Sequence, residues 1–168
     1  IRPHTHDMLK ELNKYYEIAV FTASQNWYAD VILDYIDPNN ELFQHRLYRE
    51  SCIKTTDNVY VKDLRIIDNV ELKDMILVDN AVWSFGDQLS NGIPIIPFKF
   101  DKTDEEFIYL KNFLKDFHQC QDLREPLKAA FSLENPSQFK FEDFIEYYDQ
   151  DDIEQEQEKD DEYEEYEE

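Results

Sequence analysis

Polar residues able to do chemistry follow two short apolar runs at the point where each run ends. Thr22 follows Tyr16–Phe21, and Asp79 with Asn80 follows Met75–Val78. Both runs are rich in β-branched and aromatic residues, which predicts buried strands. Since ligands of open α/β sheets bind beyond the carboxyl ends of the strands, these residues could serve a ligand site. The same residue types are also common in turns and caps, so the pattern alone leaves both interpretations open.

Residue counts exclude several kinds of active site. The chain has only two glycines, Gly86 and Gly92, so it contains neither a phosphate-binding P-loop nor a dinucleotide-binding fingerprint. The four histidines accompany no nucleophile motif of the Ser-His-Asp kind. Lys62, in the stretch YVKDL, has a solvated lysine as its default interpretation.

Helical segments alternate with these strands, and this order predicts how the polar residues are positioned. The predicted helices are His6–Tyr15, Gln25–Tyr35, a segment opened by a capping box at Thr103–Glu106, and a weaker one at Leu123–Phe131. Their apolar faces are predicted to carry Met8, Leu9, Leu12, Tyr15, Tyr28, Val31, Ile32, Tyr35, Phe107, Leu110, Leu114 and Phe117. Ser24 is the predicted cap of the second helix. Further extended pieces are predicted at His45–Glu50, at Asn58–Val61 and, after an Asn-Gly turn, within 91–98. This alternation is typical of an α/β fold with a parallel sheet covered by helices.

The overall charge excludes one class of partner. The 168-residue chain has a net charge of −22, whereas nucleic-acid sites need clustered Lys and Arg, so no nucleic-acid partner is expected. No stretch approaches the apolar length of a membrane span. Cys52 and Cys120 fit no metal-binding spacing and are expected to be plain thiols.

Three stretches taken together resemble one protein family. VFTASQNWYAD at 20–30, LYRESCIKTTDNVYVKDL at 47–64 and MILVDNAVWSF at 75–85 are similar to blocks of the small C-terminal-domain phosphatases and Dullard-like phosphatases. These NLI-interacting-factor-like enzymes are a branch of the haloacid dehalogenase superfamily. RPHTHDMLKEL at 2–12 resembles the family's Arg-Pro-Gly segment, with His4 in place of the glycine. The resemblance implies a three-layer, Rossmann-like α/β fold with a mostly parallel sheet.

The resemblance also implies phosphoryl transfer assisted by Mg²⁺ and gives roles to five residues. An aspartate attacks the phosphoester, and water then hydrolyses the aspartyl-phosphate. Thr22 would donate a hydrogen bond to a phosphoryl oxygen, and Lys62 would place its ammonium against the phosphoryl group. Asp79 would orient Lys62 and the shell of the metal, and Asn80 would give Mg²⁺ an oxygen ligand. Arg49, in YRESC, would hold the phosphate of the incoming substrate, a phosphorylated protein segment.

One part of the family's site is absent from these 168 residues. The family carries an Asp-x-Asp-x-Thr motif on its central strand, and this sequence contains none; DQDD at 149–152 lacks the threonine and follows no apolar strand. Because the sequence starts at Ile1 rather than methionine, we expect an N-terminally incomplete copy. Such a chain is expected to form no phosphoenzyme. Its sheet is expected to lack the central strand, with an open gap or an abnormal pairing between Tyr16–Phe21 and Met75–Val78.

Domain boundaries are predicted from the extent of the resemblance and from composition. Residues 1–131 are expected to form the phosphatase-like domain and 132–148 a linker. Residues 149–168 hold thirteen acids and one lysine, so this acidic tail is expected to be disordered. An acidic segment attracts positive charge, which makes basic partners candidates for binding to the tail.

Three functional hypotheses follow. The first is a Mg²⁺-dependent protein serine/threonine phosphatase whose nucleophile lies outside these residues. The second is a pseudophosphatase that acts as a binding module, similar to the mitochondrial presequence import receptor, and the third is a remnant with no stable fold. We favour the first because a pure binding module has no reason to keep Thr22, Lys62, Asp79 and Asn80. The expected location is nuclear or cytoplasmic, with mitochondrial and membrane-anchored forms left open.

Overall fold

Helices and short strands alternate along residues 1–56, 58–131 and 133, which are the residues that the computed structural model describes. The helices are α1 (Thr5–Leu12), α2 (Asn26–Ile36), α3 (Glu106–Phe117) and α4 (Arg124–Phe131). The strands are β1 (Ala19–Phe21), β2 (His45–Leu47), β3 (Ile53–Lys54), β4 (Tyr60–Val61), β5 (Leu77–Asp79) and β6 (Gly92–Pro94). The α/β class predicted from the sequence is confirmed. The predicted linker at 132–148, apart from Leu133, and the predicted acidic tail at 149–168 lie outside the described residues.

A parallel β-α-β unit opens the fold. β1 and β2 pair in parallel, with Val20 opposite Arg46. A parallel pair needs a crossover connection, and α2 provides it. The residues that α2 buries are Ala29 and Leu33. The unit thereby fixes the carboxyl end of β1, where Thr22 begins the following loop.

β5 and β6 form a second parallel pair, with Val78 opposite Ile93. The chain between them runs through kinked 3₁₀ turns at Val82–Asn91, and the Phe85 ring within these turns is fully buried. A Cβ atom on Gly92 would lie 2.3 Å from that ring. The absence of a side chain at Gly92 is therefore what lets the aromatic ring lie against the first residue of β6.

The two parallel pairs are separate sheets, and no strand among the described residues joins them. Next to β1, the Ile18 carbonyl accepts the Gln44 N–H and the Thr22 N–H donates to the Leu47 carbonyl, so both groups point towards β2. Because successive residues of a strand alternate, the N–H and C=O groups of every second residue of β1 point away from β2. Next to β5, the Asp79 carbonyl accepts the Ile95 N–H on the side of β6. Among the described residues β1 and β5 do not pair with each other, so the abnormal pairing is not seen there, and the open gap stays a prediction.

One buried cluster forms the core. Its members are Met8, Leu9, Leu12, Leu42, Ile93, Leu110, Leu114 and Leu127. The predicted apolar faces of α1 and α3 thus lie inward, although Tyr15 is exposed and stacks on His118. The Tyr16 hydroxyl donates to the Leu114 carbonyl at 2.6 Å, and burial raises the pKa of Tyr16 to about 12.

The predicted apolar face and cap of α2 are wrong. The helix begins after Gln25, which makes no side-chain capping bond, rather than after a cap at Ser24. Ala29 and Leu33 lie inward instead, because a sheet of two strands covers only a narrow stripe of the helix. The four residues predicted to share the apolar face are all exposed: Tyr28, Val31, Ile32 and Tyr35.

The capping box predicted at Thr103–Glu106 is wrong. Thr103 does not cap α3, because its N–H and hydroxyl both bond to the Asp101 carboxylate ahead of the helix.

The Asn-Gly pair lies where a turn followed by a strand was predicted, since Asn91 ends the 3₁₀ turns and Gly92 begins β6. The buried Asn91 amide fixes this position by donating to the carbonyls of Leu72 and Met75. Those partners could not be read from the local sequence.

The loop before β2 is fixed by a buried carboxylate. Asp37 accepts the backbone N–H groups of Glu41, Leu42 and Phe43 at 2.9, 2.7 and 3.1 Å. Burial alone would raise the pKa of Asp37, but the three N–H donors outweigh it and lower the pKa below its usual range. This loop leads the chain into β2 and so sets the position of Arg49, which lies just beyond that strand.

The N-terminal residues are tied to the segment before α3. Arg2 is buried and donates to both oxygens of Asp104, at 2.8 and 2.7 Å, and to the Ile96 carbonyl at 2.7 Å. These bonds lower the pKa of Asp104. His4 has a φ of 64°, in the left-handed region that favours glycine, which explains why the resembling family segment has glycine at this position.

Candidate active site

An ion pair between Lys62 and Asp79 forms the centre of the site. Lys62 follows β4 directly, and its N–H donates to the Ser84 carbonyl at 2.7 Å, so the end of β4 is tied to the turn after β5. The Lys62 ammonium contacts Asp79 Oδ2, while Asp79 Oδ1 accepts the Ala81 N–H at 2.8 Å. The two side chains are only 11% and 9% exposed. The default interpretation of Lys62 as a solvated lysine is therefore wrong.

Thr22 occupies the carboxyl end of β1. Its backbone N–H donates to the Leu47 carbonyl at 2.9 Å, which extends the β1–β2 ladder by one residue. Its hydroxyl oxygen accepts the Ser24 N–H at 3.1 Å and so turns the chain after the strand. A hydroxyl that accepts a hydrogen bond keeps its own proton, so Thr22 has a donor to offer to an anionic ligand.

Arg49 packs against the same loop. Its N–H donates to the Ser24 carbonyl at 3.1 Å, and its Nε donates to the Ala23 carbonyl at 2.6 Å. The guanidinium carbon lies 5.0 Å from the centre of the Tyr60 ring. Contacts on both sides thus hold a half-buried arginine at the end of the β1 loop.

Cys52 lies beside the loop that follows β1. Its Sγ lies 3.7 Å from the Thr22 carbonyl oxygen. Burial raises the pKa of the Cys52 thiol, and the positive charges of Lys62 and Arg49 oppose that rise. The negative charges of Asp79 and Glu50 add to it.

Asn80 is half-buried and follows β5 directly, next to Asp79. These two residues offer the oxygen ligands that Mg²⁺ prefers, and Mg²⁺ commonly takes only one or two carboxylates together with waters and phosphate oxygens. Both Asp79 oxygens already accept hydrogen bonds. The described part of the chain holds no group of three or more His, Cys, Asp or Glu side chains suited to a metal ion. The donor set fits Mg²⁺ in kind, but it would hold the ion only together with further oxygen ligands.

Sequence reasoning missed one residue that the structure places beside Arg49, namely Tyr60. It also predicted only half of the β3–β4 hairpin, the piece Asn58–Val61. In that hairpin Lys54 lies opposite Tyr60. The stretch VYVK could have indicated Tyr60. Side chains of a strand alternate between its two faces, so this stretch predicts that Tyr60 and Lys62 lie on the same face.

The order and spacing of these residues match one family over most of the chain. The family model described as NLI interacting factor-like phosphatase matches residues 1–124. The chain belongs to this family. The resemblance to small C-terminal-domain and Dullard-like phosphatases of the haloacid dehalogenase superfamily is thereby confirmed.

Curated relatives of this NLI interacting factor-like phosphatase chain have related names. CTD small phosphatase-like protein 3 of Caenorhabditis elegans is 41% identical over 134 residues, which are 79% of this chain and 46% of that protein. Nuclear envelope morphology protein 1 of Schizosaccharomyces pombe is 32% identical over 126 residues, which are 75% of this chain and 26% of that protein. The chain thus spans less than half the length of either relative.

A solved structure has a similar fold. Fcp1, described as an essential RNA polymerase II CTD phosphatase, is similar with a TM-score of 0.51 and 21% sequence identity. The similarity covers 81% of this chain and 38% of that chain. It confirms the haloacid dehalogenase fold predicted from the sequence.

Proposed function

We propose that this chain forms the substrate-recognising part of a Mg²⁺-dependent protein serine/threonine phosphatase. The observation that carries the proposal is the contact between the Lys62 ammonium and Asp79 at the carboxyl end of β5. A phosphoryl group bound there would meet a cation in a nearly buried position, where charge interactions are stronger than in water. Membership of the phosphatase family supports phosphoester hydrolysis as the reaction.

The remaining residues of the site have complementary roles in this proposal. Asp79 is a positioning residue, since it holds the Lys62 ammonium in place. The Thr22 hydroxyl donates to a phosphoryl oxygen. Arg49, anchored on the Ala23 carbonyl, binds the substrate phosphate through its guanidinium, which suits phosphate oxygens. Asn80 and Asp79 together would hold Mg²⁺, which when bound neutralises charge on the phosphoryl oxygens.

The attacking carboxylate comes from a segment outside the 168 residues in this proposal. The pairing of β1 and of β5 with one neighbour each among the described residues supports it, because each strand could accept a further parallel strand on its other side. The carboxyl end of such a parallel strand would lie beside Thr22 and Asp79. Its aspartate oxygen would attack phosphorus while the bond to the serine or threonine oxygen breaks, and the departing oxygen would take a proton. Water would then cleave the aspartyl-phosphate and restore the carboxylate.

Hydrolysis of an aryl phosphate in the presence of Mg²⁺ tests this proposal. Two forms are compared: the 168-residue chain, and the same chain preceded by a segment that supplies the family's Asp-x-Asp-x-Thr strand. We expect turnover only in the longer form, its loss in Lys62→Met, and its retention in Lys10→Met, since Lys10 is an exposed lysine on α1. Turnover by the 168-residue chain would contradict the proposed mechanism. No turnover by either form would contradict the phosphatase and favour the binding module.

The substrate and location are proposed from the family. We expect the substrate to be a phosphorylated protein segment. A relative named for nuclear envelope morphology supports a nuclear or nuclear-envelope association. In the part of the chain that the structure describes, no helix combines the length and apolar character needed to cross a bilayer. Attraction of basic partners by residues 149–168 stays a prediction.

A further inference from the structure

We propose that Gln88 is a positioning residue of the phosphoryl site, because it holds the segment that carries Lys62 against the turns that follow β5. The inference rests on the proposed function, since it concerns how the Lys62 ammonium is kept where a phosphoryl group would bind. Gln88 lies within the 3₁₀ turns at Val82–Asn91 and is buried. It touches no substrate in this proposal and acts through Lys62.

The strand before Lys62 has few backbone partners of its own. β4 pairs with β3 over two residues on each strand. Among the described residues it pairs with neither β1 nor β5, although the Lys62 ammonium contacts Asp79 on β5. A lysine side chain is long and has many rotamers, so the position of its ammonium depends on the backbone that carries it. Contacts outside the sheets must therefore fix that backbone.

Hydrogen bonds outside the sheets join the chain after β4 to the 3₁₀ turns. The Lys62 N–H donates to the Ser84 carbonyl at 2.7 Å. The Leu64 N–H donates to Gln88 Oε1 at 3.0 Å, and Gln88 Nε2 donates to Asp63 Oδ1 at 3.0 Å. The side-chain amide of Gln88 thus forms a bridge, the Gln88 bridge, from the turns to the two residues that follow Lys62.

The Gln88 bridge requires an amide side chain. The amide oxygen accepts an N–H while the amide nitrogen donates to a carboxylate, and an ionised carboxylate in its place would have no donor. Asp63 also binds Arg65, and the hydrogen bonds from Arg65 and then Gln88 lower the pKa of Asp63. The 3₁₀ turns are interrupted at Gln88, where φ is −134° and ψ is 58°. The kink therefore lies at the residue whose side chain makes the bridge.

Burial makes the Gln88 bridge costly to break. Gln88 and Leu64 are both buried, and no buried side-chain nitrogen or oxygen of the described residues lacks a hydrogen-bond partner. Loss of the bridge would leave the Leu64 N–H without its acceptor, so the segment after β4 would move to find another. The Lys62 ammonium would move with that segment. A misplacement of about 1 Å at a catalytic group can cost roughly 100-fold in rate.

The phosphate affinity of the folded 168-residue chain tests the inference. Inorganic phosphate is titrated in the presence of Mg²⁺ and followed by the NMR amide signals of residues 22–24 and 62. Gln88→Met keeps the side-chain length but removes donor and acceptor, and we expect it to weaken phosphate binding by roughly tenfold. Tyr16→Phe is the control, because it removes a core hydrogen bond to the Leu114 carbonyl. It should lower the urea midpoint of unfolding and leave the phosphate affinity unchanged.

An exchange of hydrogen-bonding groups separates positioning from general stability. Gln88→Glu places a second carboxylate against Asp63 and should weaken phosphate binding as Gln88→Met does. Adding Asp63→Asn restores a donor and an acceptor in the opposite order, so the double variant should recover most of the phosphate affinity. A double variant that recovers stability but not phosphate affinity would overturn the inference.

Hydrogen exchange of the free chain gives a readout that does not depend on phosphate. Gln88→Met should speed exchange of the Lys62 N–H more than that of the Ile95 N–H, which bonds to the Asp79 carbonyl. Tyr16→Phe should not distinguish the two. Equal changes at both amides in Gln88→Met, or lowered stability with unchanged phosphate affinity, would overturn the inference alone. A wild-type chain that binds no phosphate would contradict the proposed function, and hydrogen exchange would then decide the inference.

Discussion

Lys62→Met is expected to destabilise the folded chain by about 3–5 kcal/mol, the usual effect of removing one member of a buried ion pair. Methionine preserves most of the side-chain volume, so little of the loss would come from a cavity. The loss comes from Asp79, whose carboxylate is only 9% exposed and would keep the Ala81 N–H as its partner but lose its counter-charge. Urea unfolding monitored by circular dichroism measures the difference. Lys10→Met is the matched control and should change stability by less than about 0.5 kcal/mol, as exposed substitutions usually do.

A double variant shows whether the unpaired charge of the Asp79 carboxylate causes the loss of stability in Lys62→Met. Adding Asp79→Asn to Lys62→Met removes that charge, so the double variant is expected to recover part of the lost stability. Equal deficits in the single and double variants would show that the two side chains do not depend on each other.

Gly92→Ala is expected to destabilise the chain by about 1–3 kcal/mol through overpacking. The new Cβ would lie 2.3 Å from the ring of Phe85, which is too close for any real contact. Phe85 is fully buried, so its ring cannot move away without disturbing its neighbours. Thermal unfolding measures the effect as a lowered Tm.

The other glycine of the chain is the matched control for this substitution. A Cβ on Gly86 would have no atom within 4 Å, and its φ is not positive. Gly86→Ala is therefore expected to be neutral or slightly stabilising, because alanine restricts the unfolded chain. Replacing Phe85 by leucine in the Gly92→Ala background should relieve part of the clash. If both glycine variants unfold at the same temperature, the packing of Phe85 against β6 is not the constraint described here.

The sequence predicted those features that depend on local pattern. Helical spacing located α1 and α3, and short apolar runs located β1 and β5. These predictions of elements succeeded because burial on one side of a helix or strand gives its residues a regular spacing of apolar side chains. The roles given to Thr22, Arg49, Lys62, Asp79 and Asn80 stay predictions.

Features that depend on distant partners could not be read from the sequence. In α2, Ala29 and Leu33 are buried, whereas Val31 and Tyr35 are exposed. The helix sequence could not predict this choice, because the buried face depends on how much of the sheet lies beneath the helix. The role of Asn91 depends on carbonyls of residues 72 and 75, and that of Arg2 on a carboxylate 102 positions away. Tyr60 was missed because its place beside Arg49 depends on a contact between residues that are eleven positions apart.

The central claim is that Thr22, Arg49 and Lys62 converge on one phosphate-recognising site. An NMR titration of the 168-residue chain with inorganic phosphate, in the presence of Mg²⁺ and against chloride at equal ionic strength, tests it most directly. The account predicts that the amide signals of residues 22–24, 49 and 62 and those after β5 shift together with one common affinity. Shifts confined to other parts of the chain, or identical shifts with chloride, would contradict it.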